Sequence, residues 1–183
     1  MTDKPTIFRG RIWLITDEKG FLADDIDTDM IFHNAHLAIT DINEMGQHTF
    51  GNMKGWEHFP EDVKEGDIVL AGRNFGSGSS RQQAVDCFAA LGVKALACES
   101  YGAIYKRNAI NSGFPVVIFP GLVEKIKKSG GVKHLQDVEL DILTGKLKNA
   151  ATGEVLVEGL PLSEVQIDIY EKGGLLKYNP EKK

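Results

Sequence analysis

Three serines, two glycines and an arginine are packed into Gly76-Ser77-Gly78-Ser79-Ser80-Arg81. Residues of these types at this spacing suit an anion. The amides of a tight turn converge on negative charge, and an arginine fork pairs with a carboxylate through two parallel hydrogen bonds. Better-known loop chemistries fit less well. A phosphate-binding P-loop needs a lysine before its closing Ser or Thr, and no lysine lies between Arg73 and Arg81. A dinucleotide fingerprint starts well at Gly76-Ser77-Gly78, but its third glycine position is Arg81. A nucleophile elbow needs glycine two places before its serine, whereas Phe75 precedes Ser77 and Ser77 precedes Ser79 at that distance. The residues alone leave two readings open: a carboxylate-binding nest beside Arg81, or a serine cap in a tight turn with Arg81 on the surface.

Two other stretches carry groups able to do chemistry. Asp24-Asp25-Ile26-Asp27-Thr28-Asp29 is an acidic loop whose alternating aspartates match the start of a calcium loop. The glycine and distal glutamate of such a loop are out of register, which argues against calcium. His33 and His36 lie in HNAHLAITD, residues 33–41, without further ligands at metal spacing. No metal site is expected, and the segment reads as a loop lining a substrate or facing a partner. Cys87 and Cys98 sit among apolar neighbours and read as buried thiols.

The elements that must position these groups follow from periodicity. Asp67 to Ala71 is an apolar strand entering the loop, and Ala84, Val85, Phe88 and Ala89 recur at helical spacing behind it up to Gly92. Residues 94–98 form another short apolar strand. Strand, loop, helix, strand is a βαβ unit, which requires parallel pairing. Residues 6–15 alternate as a strand broken once by Gly10. A helix is predicted over 101–111 with Ile104, Tyr105 and Ala109 on one face, then a strand over 116–119 and a short amphipathic helix over 121–128. From Val138 the period changes to two, with turns at Thr144-Gly145-Lys146 and Gly153, which predicts an antiparallel meander. A last helix ends at Gly173-Gly174. The polar stretch 41–65 reads as irregular surface, and its Phe50, Trp56 and Phe59 as exposed aromatics suited to an interface.

The chain has 183 residues, 42% hydrophobic and 26% charged, with a net charge of −5. That composition suits one soluble domain, 1–183, with no internal repeat or linker. Its apolar runs are too short to span a bilayer, and the opening MTDKPTIFRGRIW lacks the apolar core of a secretion signal, so a cytoplasmic location is expected. With basic residues dispersed over an acidic chain, neither nucleic acid nor membrane is an expected partner.

Four segments taken together, DDIDTDMI at 24–31, AGRNFGSGSSR at 71–81, YKRNAINSGFPVV at 105–117 and EKGGLLKY at 171–178, resemble the small subunits of the aconitase-like hydro-lyases. They stand in the family's order and span the chain from about Phe8 to Tyr178. The branch most resembled is isopropylmalate dehydratase, of the short type related to homoaconitase. The resemblance implies an α/β swivelling domain of β/β/α layers, with a parallel βαβ core and an antiparallel C-terminal meander. It also implies a separate large subunit holding a [4Fe–4S] cluster. Such a cluster needs three or four cysteines, and this chain has two. The resemblance makes Ser79 the base that, as an alkoxide, takes a proton from the carbon beside a carboxylate. It makes Ser80, Arg81 and Gly78 part of the carboxylate cradle, with Thr28 and Asp29 on a neighbouring loop. Activity is then expected only with the large subunit, on a small dicarboxylate.

Departures from the family pattern bear on the substrate. Many relatives read Arg-Glu-His after the two serines, where this chain has Arg81-Gln82-Gln83. The family's YLRT, found in homoaconitase-like members, aligns with His36-Leu37-Ala38-Ile39. An arginine there would read a distal carboxylate, which Ala38 cannot do. His33 and residues 36–39 are thus the expected specificity loop. The favoured substrate has an apolar branch: 3-isopropylmalate, an intermediate of leucine biosynthesis, or a methyl-substituted malate of the dimethylmalate or citraconate type. Ala103 stands where an arginine is common, and nothing in the sequence interprets that change. A non-catalytic anion-binding module is the reading of a different class.

Overall fold

Gly10 breaks the alternation of the first strand because another chain segment crosses there: a Cβ on it would lie 2.2 Å from the Gly66 carbonyl oxygen. The computed structural model describes residues 4–129 and 131–179, so the expected domain span of 1–183 runs beyond them at both ends. Strand β1 (Ile7–Leu14) is followed by three single-turn helices, α1 (Thr28–Ile31), α2 (Ile42–Met45) and α3 (Phe59–Asp62). Then come β2 (Ile68–Ala71), α4 (Gln83–Ala90), β3 (Ala95–Cys98), α5 (Ala103–Asn111), β4 (Val116–Ile118) and α6 (Leu122–Ser129). The meander β5 (Asp137–Asp141), β6 (Lys146–Asn149) and β7 (Val155–Glu158) leads to α7 (Glu164–Lys172). A serine–glutamine capping box starts α7, and left-handed Gly173 ends it.

One seven-stranded sheet runs in the order β4-β3-β2-β1-β5-β6-β7. The first four strands are parallel to one another and the meander is antiparallel, so β1 joins the two halves. Register sorts the side chains into two cores. Trp13, Val69, Leu96 and Val116 stand side by side across four strands, and all face the layer of helices α1 to α5. Their neighbours Ile12, Leu14, Ile68, Leu70, Ala95, Ala97 and Val117 face the opposite way, onto Val138, Leu140, Leu147 and Val157 of the meander. The result is meander on parallel sheet on helices, the α/β layering expected. Each fully buried Leu, Ile or Val in these layers contributes about 1.5–3 kcal/mol. The sheet curls until the Leu160 amide, just past β7, donates to the Ile118 carbonyl of β4 at 2.7 Å.

Three details differ from expectation. Phe50 and Phe59 are 0% and 2% exposed and Trp56 is half-buried, so these aromatics belong to the helix-side core and not to an exposed interface. Their rings pack edge-to-face with Trp13 and Phe88, which draws the irregular stretch 41–65 onto α4. Ile104 is 41% exposed, because α5 presents Tyr105 and Ala109 to the core instead. On α4 the exposed residue is Ala89, and Cys87 takes the fourth core position beside Ala84, Val85 and Phe88.

Candidate active site

Beyond β2 the chain is stitched into place from both sides. The Gly72 amide donates to Ala23 O at 2.9 Å and the Gly76 amide to Ile26 O at 2.7 Å, which ties the loop to the acidic segment. On the other flank the Phe75 amide donates to Ser100 O at 3.0 Å, and the Gly102 amide to Phe75 O at 2.9 Å. Gly76 is required at this crossing. It has φ 73°, and a Cβ on it would lie 2.1 Å from Cγ of Tyr105, a buried ring whose hydroxyl donates to Ala84 O. Asn74 and Asp25 both take left-handed backbone, at φ 55° each, and the Asn74 amide group donates to Asp25 Oδ1 at 2.8 Å. Residues in such conformations cluster where surrounding structure fixes a loop for function.

Within this frame the acidic segment grips the serine loop. Asp27 caps α1, its Oδ1 accepting from the Asp29 and Met30 amides at 2.9 and 2.8 Å. The next two residues of that turn reach across. Thr28 donates twice to the serine loop: its amide to Ser77 O at 2.9 Å and its hydroxyl to Ser79 O at 3.0 Å. Asp29 Oδ1 receives Arg81 Nη1 at 2.6 Å, and the same nitrogen donates to Phe32 O at 3.0 Å. Hydrogen bonding to Arg81 holds the Asp29 carboxyl below its usual 3.8, with the Asn34 amide and the charges of Arg81 and His33 adding to the effect against burial. Thr28 and Asp29 thus join Ser79 and Arg81 into one unit.

Ser79 and Ser80 themselves are exposed, as is Gly78, which has φ 92°. Their hydroxyls stand on an open platform, from which this chain does not exclude water. Helix α4 begins only at Gln83, with no side-chain cap on its first turn. The serines therefore do not cap it, and the platform is built by the flanking segments and not by a helix end. Asn108 of α5 donates to Ser80 Oγ at 3.3 Å.

The segment expected to set specificity lies next to the platform. Gln83 Nε2 donates to Leu37 O at 3.3 Å, and Arg81 holds Phe32 O, so residues 33–39 flank the arginine. Leu37 and Ala38 are exposed, while Ile39 packs against the core. His33 accepts from the Ala35 amide through Nδ1, and its Nε2 lies 3.9 Å from Asp29 Oδ2. His36 stacks on His48, with ring centres 3.8 Å apart. Burial, then the charge of His36, lowers the His48 imidazole below 6.5.

The structure brings together Thr28, Asp29, Ser79, Ser80, Arg81 and His33, and turns His36 toward His48. Sequence reasoning did not find Asn108 or Asn52, which donates to Asp29 Oδ2 at 3.2 Å. Asn108 lies within the motif at 105–117 and could have been read from it, whereas Asn52 sits in a stretch with no period or motif.

No iron–sulfur cluster fits this chain's own residues. Cys87 and Cys98 are fully buried on a helix and a strand, and burial pushes both thiols up to about 12. Among the described residues no group of three or more His, Cys, Asp or Glu is placed to hold a metal ion. No helix among them is long and apolar enough to cross a membrane.

Comparison with known proteins adds the family context. A sequence model of the aconitase C-terminal domain matches residues 26–120, which include every residue of the platform. The chain is 43% identical over 155 residues to a 3-isopropylmalate dehydratase small subunit of Pyrobaculum aerophilum, covering 85% of this chain and 90% of that one. It is 36% identical over 178 residues to an isopropylmalate/citramalate isomerase small subunit of Methanocaldococcus jannaschii, covering 97% and 96%. The crystal structure of 3-isopropylmalate dehydratase from Methanocaldococcus jannaschii superposes with a TM-score of 0.77 at 32% identity, covering 94% and 92% of the two chains.

Proposed function

The chain belongs to the aconitase C-terminal domain family, and we propose that it works as the small subunit of a 3-isopropylmalate dehydratase, a two-subunit hydro-lyase. The proposal covers the whole chain, 1–183, as a single swivelling domain in the cytoplasm. Its partner is a large subunit that carries a [4Fe–4S] cluster, and its substrate is a small dicarboxylate. The observation that carries the reading is the joining of Ser79 and Arg81 by consecutive residues of α1, Thr28 and Asp29. A base and a carboxylate anchor held in one rigid unit can set a substrate carbon against the base.

The chemistry assigned to this chain is proton transfer and anchoring. Arg81, with Ser80 and the Gly78 turn, holds a substrate carboxylate, and Ser79 as alkoxide takes the proton from the adjacent carbon. The electron pair of that C–H bond becomes the double bond as hydroxide departs from the neighbouring carbon. In the reverse addition Ser79 returns the proton. Lowering a serine hydroxyl costs about 1.4 kcal/mol per pKa unit. The exposed platform cannot supply several units alone, so the partner must cover it and exclude water.

Substrate choice rests on the loop beside Arg81. Leu37, Ala38 and Ile39 offer apolar surface and no cation for a second distal carboxylate, which favours an isopropyl or methyl branch. The relative named for both isopropylmalate and citramalate keeps the methyl-substituted reading as the second one. Mixing the chain anaerobically with a cluster-loaded large subunit tests the proposal, with isopropylmalate, dimethylmalate, citraconate, homoaconitate and citrate as substrates. Isopropylmalate is expected to turn over best. Ser79→Ala should lower kcat by roughly 10²–10⁴ while the complex still assembles. Turnover by the isolated chain, or full activity of the alanine variant, would overturn the reading.

A further inference from the structure

We infer that Asn52 is a positioning residue: by gripping Asp29 it fixes the direction in which Arg81 points, an inference that rests on the carboxylate-anchor role given to Arg81 above. Asn52 Nδ2 donates to Asp29 Oδ2 at 3.2 Å and lies 3.5 Å from the Asp29 carbonyl oxygen. Arg81 Nη1 occupies the other carboxylate oxygen at 2.6 Å. With both oxygens held, the carboxylate is fixed in orientation, and with it the direction from which Oδ1 draws Arg81 Nη1, while Phe32 O holds the same nitrogen from a second side. The Asn34 amide, 3.2 Å from Oδ1, holds the side already taken by Arg81, so Asn52 supplies the hold on the second oxygen. His33 Nε2 reaches no closer than 3.9 Å to that oxygen.

A second observation points the same way. Phe50, two residues before Asn52, is fully buried at φ 59°, a backbone region that a bulky side chain rarely adopts. Its amide donates to Ile31 O at 2.8 Å, and Thr49 pairs with Phe32. The segment 49–52 is thereby locked against the end of α1, and the unusual turn at Phe50 brings Asn52 beside Asp29. Strain of this kind persists only where the surroundings over-determine it, and it clusters at functional sites.

Two arms test the inference. In the full chain labelled with 15N-arginine, NMR reads rotation of the Arg81 guanidinium. Asn52→Ala is expected to speed that rotation at least severalfold with the melting temperature unchanged, and to have no further effect in an Asp29→Ala background. In the complex with the large subunit, Asn52→Ala should raise KM for isopropylmalate roughly fivefold and leave kcat within about twofold. Unchanged rotation, unchanged KM in an active complex, or an equal effect with and without Asp29 would each overturn the inference. A wild-type complex with no turnover would instead overturn the dehydratase reading, and the NMR arm would still decide the role of Asn52.

Discussion

Arg81 pairs with Asp29 through Nη1 alone, at 2.6 Å, and its Nε and Nη2 meet no acceptor among the described residues. One nitrogen of the guanidinium is held by the chain, and the others make no hydrogen bond among those residues that would compete with the carboxylate proposed above. A lysine at this position keeps the charge but has a single ammonium to divide between the two tasks. Arg81→Lys is therefore expected to raise KM in the reconstituted complex by roughly 10–100-fold, the loss of charged hydrogen bonds worth about 1.5–3 kcal/mol. Steady-state kinetics over a range of isopropylmalate concentrations reads this directly, and a KM within twofold of wild type would exclude Arg81 as the anchor.

Gly76→Ala should destabilise the fold by about 2–4 kcal/mol, combining left-handed strain with overpacking against Tyr105. Urea unfolding measures it. Because Tyr105 also holds Ala84 at the start of α4, displacing the ring should move the serine loop as well. Activity per folded molecule is expected to fall along with stability.

A buried carboxylate, Asp67, sits just before β2, at the opposite end of that strand from the serine loop. Asp67 receives Arg11 Nη2 at 2.6 Å, Trp13 Nε1 at 2.7 Å and the Lys64 amide at 2.9 Å. Burial alone pushes its carboxyl up, but these hydrogen bonds outweigh it and hold the group below its usual 3.8. The folded form thus binds fewer protons than the unfolded one. Its stabilisation is complete above about pH 4 and is lost as pH falls through the folded value. Asp67→Ala is expected to cost about 3–5 kcal/mol at pH 7, lowering Tm by roughly 10 °C. The gap between variant and wild type should narrow below pH 4, and a gap constant from pH 7 to pH 2 would exclude the ion pair as its source.

Cys87 and Cys98, with thiols pushed up to about 12 inside the core, should react with a thiol reagent only through unfolding. At pH 7 the native chain is expected to leave both unmodified over the time in which the denatured chain loses both. Fast labelling in the native state would show that the fold opens locally, at α4 for Cys87 or at β3 for Cys98.

Much of this was legible in the residues because it is local. Period two marked β5, with Val138 and Leu140 inward, and the strand–loop–helix–strand order marked the parallel core. The serine loop stood out because glycine and serine interrupt an apolar pattern on both sides. What was not legible depends on distant partners. Phe50 and Phe59 look exposed in a polar stretch because the residues that cover them, Trp13 and Phe88, are far away in sequence. The hold of Asn52 on Asp29 spans 23 residues and leaves no periodic trace. Ile104 fell on the wrong side because the core face of α5 is set by Tyr105 and Ala109, four residues apart, and Tyr105 is held there by its hydroxyl's bond to the distant Ala84 O.

The contact between Leu160 and Ile118 has a consequence for how this chain meets others. Unpaired outer strands are the usual template on which proteins add a foreign strand or aggregate. Here the outer strands are only three and four residues long, and the closing bond from Leu160 occupies part of one of them. Partners are left to engage loops and helices, so the chain can present its serine platform to a large subunit without offering its sheet to every passing strand.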